Sequence, residues 1–293
     1  VFDYIDCGGV LHHLKEPAAG LTALTEVMAA EGGMGLMVYG PYGRAGIYPI
    51  QEMMRRLGEG NQSDQLPLLK KVLDGLPATN LLHHHERFRQ GYGENDAELV
   101  DLFLHPVDRP FTVPQLTQLC ERAGLRVVRF LPTAKYEPAS YIGVAEILRR
   151  VSDMEWLERA ALAELLSGNM HMHFFFAVRS ENFEEGIVDI ERPDIVDFVP
   201  VLRDIDGAVL AEKLSQSNDF AYNFDGTSVV AEITDGMRAL IAEIDGHRTL
   251  EEIYMSLAGK SGSLDWLSFR ATYFAVHRIL HDLLYGLFLR KRG

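Results

Sequence analysis

The chain has 293 residues with 47% hydrophobic content, enough for one large domain or two ordinary ones with a sizeable core, which excludes disorder as the default. Its 28 Lys and Arg against 42 Asp and Glu leave a formal charge of -14, which argues against nucleic acid as a partner. Cys7 and Cys120 are too few for a disulfide scaffold and no apolar run reaches the roughly 18 residues of a membrane span, so the composition points to a cytoplasmic protein that does not enter a membrane.

Val1 to Cys7 reads as a short strand running into Gly8-Gly9. Pro17 opens a helical pattern carried by Leu21, Leu24, Val27 and Met28, and Glu31-Gly32-Gly33 is expected to close it through a glycine at positive φ. Met34 to Tyr39 is a near-continuous apolar run, as in a strand covered on both faces, so the opening is a βαβ unit with parallel strands. After the turn-rich loop Gly40-Pro41-Tyr42-Gly43-Arg44 comes a helix over about 48–57, then an insertion over 59–110 with helices near 66–76 and 97–104. Thr112 caps a helix beginning at Val113-Pro114 and stopped by Gly124. A strand follows over 125–131, then a mostly helical stretch over about 139–167, and a strand over 170–179. This order is an α/β layer.

The words Phe2-Asp3-Tyr4-Ile5, Gly9-Val10-Leu11-His12-His13-Leu14 and Glu31-Gly32-Gly33-Met34, with Pro17, Leu21 and Leu24 between them, resemble the second half of a class I S-adenosylmethionine-dependent methyltransferase. They correspond to that family's fourth strand, its exit loop, the next helix and the turn into the fifth strand. The helix ending in Ala123-Gly124-Leu125 is similar to the segment before the sixth strand, and 171–178 resembles the antiparallel seventh. The likeness covers about residues 1–180 and implies a partial Rossmann-like sheet with a helical insertion. It implies S-adenosyl-L-methionine as cofactor and methyl transfer to a small molecule or a protein side chain. The family's Gly-x-Gly loop and ribose-binding acid have no counterpart here, since Gly8-Gly9 follows the wrong strand. On that likeness the chain is half of a cofactor site, truncated at its start.

In an open α/β sheet ligands lie outside the carboxyl ends of the strands. That places Cys7, Gly8, Gly9, Val10 and Leu11 beside the cofactor, and Tyr39, Tyr42 and Arg44 on the same edge, the last two as substrate-binding residues. Methyl transfer needs positioning and a desolvated nucleophile more than acid–base work. If a proton must leave, His12, His13 or Tyr39 is the candidate base. The bland readings are a helix entry for the histidines, packing for the tyrosines and an ion pair for Arg44. The stretch 102–110, with His105 as a substrate-binding residue, is either a lid over the strand ends or a structural arm. Asp6-Cys7-Gly8-Gly9 stands where nucleobase and glutamine N-methylating relatives carry Asn/Asp-Pro-Pro-aromatic, which disfavours those acceptors.

No metal site is expected. His83-His84-His85 point in different directions whatever the backbone, and His171 and His173 share a strand face with no further ligand at suitable spacing.

Residues 181–194 are acidic and weakly patterned, and are expected as a linker. Beyond it, 195–293 carries short strands at 198–202 and 221–224, helices at 207–214, 234–244, 249–257 and 267–284, and a closing strand at 287–289. Asp245-Gly246-His247-Arg248-Thr249-Leu250-Glu251-Glu252-Ile253 is similar to a word of small PqqD-like and winged-helix modules, which implies a small α+β winged-helix-like domain with a peptide or protein partner. The rival to the enzyme is a non-catalytic interaction protein built on a methyltransferase scaffold. A third reading, an RNA methyltransferase, has the acidic balance against it.

Overall fold

The computed structural model describes residues 1–58, 61–85, 95–183, 190–224, 227–283 and 286–292. Parts of the expected insertion (59–60 and 86–94) and of the expected linker (184–189) lie outside the described residues. Two compact units result: Val1–Phe130 with Val144–Glu184, and Leu131–Gly143 with Glu185–Gly293.

In the first unit, β1 (Phe2–Gly8), α1 (Pro17–Val27) and β2 (Met28–Tyr39) form the expected βαβ opening, with β1 and β2 parallel. Helices α2 (Ile47–Leu57), α3 (Gln62–Asp74) and α4 (Asp96–Leu104) follow, then α5 (Val113–Arg122), β3 (Leu125–Leu131), α6 (Ala145–Ser152), α7 (Trp156–Ser167) and β4 (Met172–Arg179). The sheet order is β1-β2-β4-β3, and β4 runs antiparallel to β2, pairing Leu36 with Phe175 and Tyr39 with Met172. This is a mixed α/β fold. Alternation along β2 buries Met34, Leu36 and Val38 almost completely. On β4 the same alternation buries His173, Phe175 and Ala177. Trp156 of α7 meets Phe130 at 5.8 Å between ring centroids, and Phe130 meets Phe175 at 5.9 Å, so α7 packs on that face. The opposite face carries Tyr4 and Phe176 in edge contact, with Tyr4 55% and Phe174 44% exposed. A second apolar cluster, with Ile47, Met54, Leu69, Leu82 and Phe103 at its centre, holds α2, α3 and α4 together.

One expectation fails locally. The Gly32-Gly33 pair does not close α1, because the helix ends at Val27 and both glycines already lie in β2. The end is capped from a distance: the Arg179 guanidinium donates to the carbonyls of Thr25 at 2.7 Å and Met28 at 2.8 Å. Gly32 is there for close approach, since a Cβ would lie 3.0 Å from the Asp3 carbonyl oxygen.

The second unit holds β5 (Phe198–Leu202), α8 (Gly207–Leu214), the hairpin β6 (Asp219–Phe224) and β7 (Thr227–Glu232), α9 (Asp235–Ala242), α10 (Leu250–Ser261), α11 (Trp266–His277), a π-helical turn (Arg278–Leu283) and β8 (Leu287–Lys291). Strand β7 had no counterpart in the sequence reading. β8 closes antiparallel onto β5. Residues 131–143, read from sequence as part of the first half, belong here, where Ala134 and Tyr141 join the cluster around Leu250, Ile253, Phe269, Tyr273 and Leu287. The 244–253 word is a structural device. Asp245 Oδ1 accepts from the backbone of His247 and Arg248 at 2.8 and 2.9 Å. Thr249 and Glu252 form a reciprocal capping box at the start of α10.

Candidate functional site

Because β1 and β2 are parallel, Gly8 and Tyr39 end on the same edge of the sheet, and the loops that leave them converge there. Gly9 has φ +77°, a conformation that glycine adopts without the cost a side chain imposes, and its N–H donates to the Met37 carbonyl at 3.2 Å. The next residues form a 3-10 turn (Leu11–His13). Of the five residues expected beside a cofactor, Gly8 and Val10 are exposed, Gly9 is partly exposed, and Cys7 and Leu11 are buried in the core. Burial, with Asp6 nearby, pushes the Cys7 thiol up from its ordinary value.

The other loop is held by its glycines. Gly40 N–H donates to the His171 carbonyl and Gly43 N–H to that of Met170, both at 3.0 Å. A Cβ on Gly43 would lie 2.5 Å from the Asn169 carbonyl oxygen, so only glycine lets this loop lie against the entry to β4. Tyr42 is left 37% exposed, and Arg44 is turned inward.

Arg44 is 6% exposed. Its Nη2 donates to Asp108 Oδ2 at 2.6 Å and its Nε to Tyr48 Oη at 3.0 Å. Its guanidinium carbon stands 3.8 Å from the Tyr39 ring centre. The His12 ring stacks on Tyr39, also at 3.8 Å between centroids, and two groups that close to one centroid cannot share a face, so Tyr39 is sandwiched. The expected substrate-binding arginine is thus committed to an internal ion pair. His12 is fully buried, and neither ring nitrogen has a hydrogen-bond partner among the described residues. Desolvation, then the neighbouring His13, hold its pKa down to about 3. At neutral pH it is an uncharged packing ring.

His13 remains partly exposed, and its ring lies 3.8 Å from that of His105. Both Nδ1 atoms reach the Val107 carbonyl, at 2.8 Å from His13 and 2.6 Å from His105. His105 also borders a cavity of about 620 Å³ with Gln51, Met54, Arg55, Phe103 and Pro106. The 105–111 stretch is docked on the sheet edge: Arg109 N–H donates to the His12 carbonyl at 2.9 Å and Phe111 N–H to that of Tyr39 at 2.8 Å. Sequence reasoning missed Asp108, Gln51 and Tyr48, and no local signal separates them from ordinary loop and helix residues.

His83 and His84 are exposed while His85 is buried. Among the described residues no three His, Cys, Asp or Glu side chains come together as a metal site, and no helix is long and apolar enough to cross a membrane.

No family model matches the chain. An uncharacterised protein of Synechococcus sp. is 33% identical over 184 residues, 61% of this chain and 44% of that protein. The chain therefore spans less than half the length of this curated relative. Among solved structures, PKMT2 from Rickettsia typhi is similar over 100% of this chain and 58% of its own, with TM-score 0.63 at 16% identity. The chain shares its fold with PKMT2. The structure of PKMT2 in complex with AdoHcy gives TM-score 0.60 at 15% identity, covering 100% of this chain and 59% of that one.

Proposed function

We propose that the chain is part of an S-adenosylmethionine-dependent methyltransferase acting on a small molecule or a protein side chain. The observation that carries this reading is the accessible Gly8-Gly9-Val10 turn, with Gly9 at φ +77°, at the carboxyl edge of a parallel strand pair. The AdoHcy complex of a protein with the same fold supports the cofactor. Gly8, Gly9 and Val10 would hold it, with their backbone rather than with charge, and the bound group supplies an electrophilic methyl carbon. The remaining contacts, a Gly-x-Gly loop and a ribose-binding acid, belong to residues outside this sequence. Consistent with this, β1 is an edge strand on which Phe2 is 59% and Tyr4 55% exposed, surfaces that further strands and helices would cover.

On this reading His13 is the candidate base. It is partly exposed with one ring nitrogen anchored, whereas His12 is enclosed and Tyr39 is sandwiched. The unit built from β5 to β8 is an appended, winged-helix-like module whose partner is a peptide or protein.

The test is calorimetric titration of the full-length natural protein with S-adenosylhomocysteine, followed by transfer of labelled methyl groups. Saturable binding that weakens at least tenfold in a Gly9→Val variant supports the reading. Absence of binding by the full-length protein would return the fold to a scaffold role.

A further inference from the structure

Asp108 is a buried carboxylate, 1% exposed in its side chain, in the middle of a loop. Its Oδ2 accepts from Arg44 Nη2 at 2.6 Å and from Gln51 Nε2 at 2.8 Å, and the same Gln51 nitrogen donates to the Leu102 carbonyl at 2.9 Å. The residues on either side are fastened as well. Val107 offers its carbonyl to both His13 and His105, and Arg109 donates its N–H to the His12 carbonyl. A carbonyl oxygen only accepts, so each imidazole that pairs with it carries its hydrogen on Nδ1. For His105 the Val107 N–H also lies 3.3 Å from Nδ1, but the 2.6 Å contact to the carbonyl is much the shorter and sets the tautomer.

We propose that Asp108 is the positioning residue of this site. It holds the Val107 carbonyl where that oxygen keeps His13 and His105 as Nδ1–H tautomers, leaving Nε2 of each as the proton-accepting nitrogen. The inference rests on the methyltransferase reading and narrows it to an acceptor that loses a proton on methylation, an N–H or O–H group. As the acceptor atom bonds to the methyl carbon, the carbon–sulfur bond breaks with its electron pair left on sulfur, and the acceptor's proton passes to His13 Nε2. The segment then carries two tasks: Arg44 and Gln51 fix it in place, and its Val107 carbonyl selects the useful tautomer.

Long-range ¹H–¹⁵N NMR on the full-length protein with labelled histidine reads the tautomers without any turnover. In the wild type His13 and His105 report Nδ1–H, and in Asp108→Asn both move toward a mixture. The same variant loses about a hundredfold in kcat, the scale of a misplacement of about 1 Å, while KM for the methyl donor stays within about twofold. Should Asp108→Asn not fold, Arg44→Lys keeps the charge and loses the fork geometry, and it is expected to mix the tautomers in the same way. Unchanged tautomers together with unchanged kcat in the folded variants overturn the proposal, as does an Nε2–H tautomer of His13 in the wild type. If the wild-type protein transfers no methyl group, the methyltransferase reading fails, and the tautomer measurement still decides whether Asp108 positions the pair.

Discussion

The His12 imidazole lies on the ring of Tyr39 with centroids 3.8 Å apart and 30° between the planes. Of the three candidate bases this stack encloses His12 completely, while Tyr39 keeps partial exposure with its ring faces occupied and His13 keeps partial exposure beside His105. In the 3-10 turn Leu11–His13, Leu11 and His12 face the core while His13 stays partly exposed, where the Val107 carbonyl orients it.

The buried His12 makes stability depend on pH. Its folded pKa of about 3 lies below the ordinary 6.5, so between those values the unfolded chain binds a proton that the native state does not. Its neutral ring is stabilising above about pH 6.5, and that contribution is lost as the pH falls toward 3, at up to about 1.4 kcal/mol per pH unit. His12→Phe keeps the stack and removes the proton uptake. Urea unfolding of both proteins at pH 7, 5.5 and 4.5 should show the variant gaining on the wild type as pH drops, and parallel curves would refute this.

Arg44 and Asp108 form a buried pair, so removing one partner strands the other's charge. Arg44→Met is expected to cost about 3–5 kcal/mol, and adding Asp108→Leu should recover part of that loss. A double-mutant cycle by chemical denaturation measures it, and additive losses in the two single variants would contradict the pairing.

Gly43 sits where a Cβ would press on the Asn169 carbonyl oxygen at 2.5 Å and on the Met170 carbonyl carbon at 2.6 Å, both rigid backbone. Gly43→Ala should lower stability by about 1–3 kcal/mol, as overpacking does. Gly124→Asn makes a useful contrast, since its φ of +72° suits asparagine and nothing lies within 4 Å of a Cβ there. Thermal unfolding should separate the two clearly.

Arg179 closes α1 by donating to the carbonyls of Thr25 and Met28. Arg179→Met retains most of the stem and loses the donors, which should cost about 1–3 kcal/mol. Amide exchange should quicken first in the last turn of α1 and at the start of β2. Uniform protection loss across the first unit would mean that the side chain acts through packing alone.

The βαβ opening was legible because its signals are local: an apolar run of strand length, a proline at a helix start and a three- to four-residue apolar period. The helix cap at Thr112 and the capping box at Thr249 were legible for the same reason, while the Gln115 half of the Thr112 box came only with the structure. The end of α1 was not, since its cap arrives from Arg179, some 150 residues away in the chain. The hairpin partner β7 carried too little apolar alternation to stand out from a loop.

Sequence alone brought His12, His13, Tyr39 and Arg44 into one neighbourhood, because a parallel βαβ unit puts the carboxyl ends of its strands on one edge, and it left the 102–110 stretch with His105 open between a lid and a structural arm. It could not tell which of them faces inward. Only the tertiary structure decided that, through the docking of 105–111: once Asp108 enters the core, Arg44 must follow to neutralise it, Tyr39 is covered on both faces, and His13 with His105 is left as the accessible pair. That choice is set by the desolvation of one carboxylate, a quantity that depends on where the chain folds and not on the residues beside it.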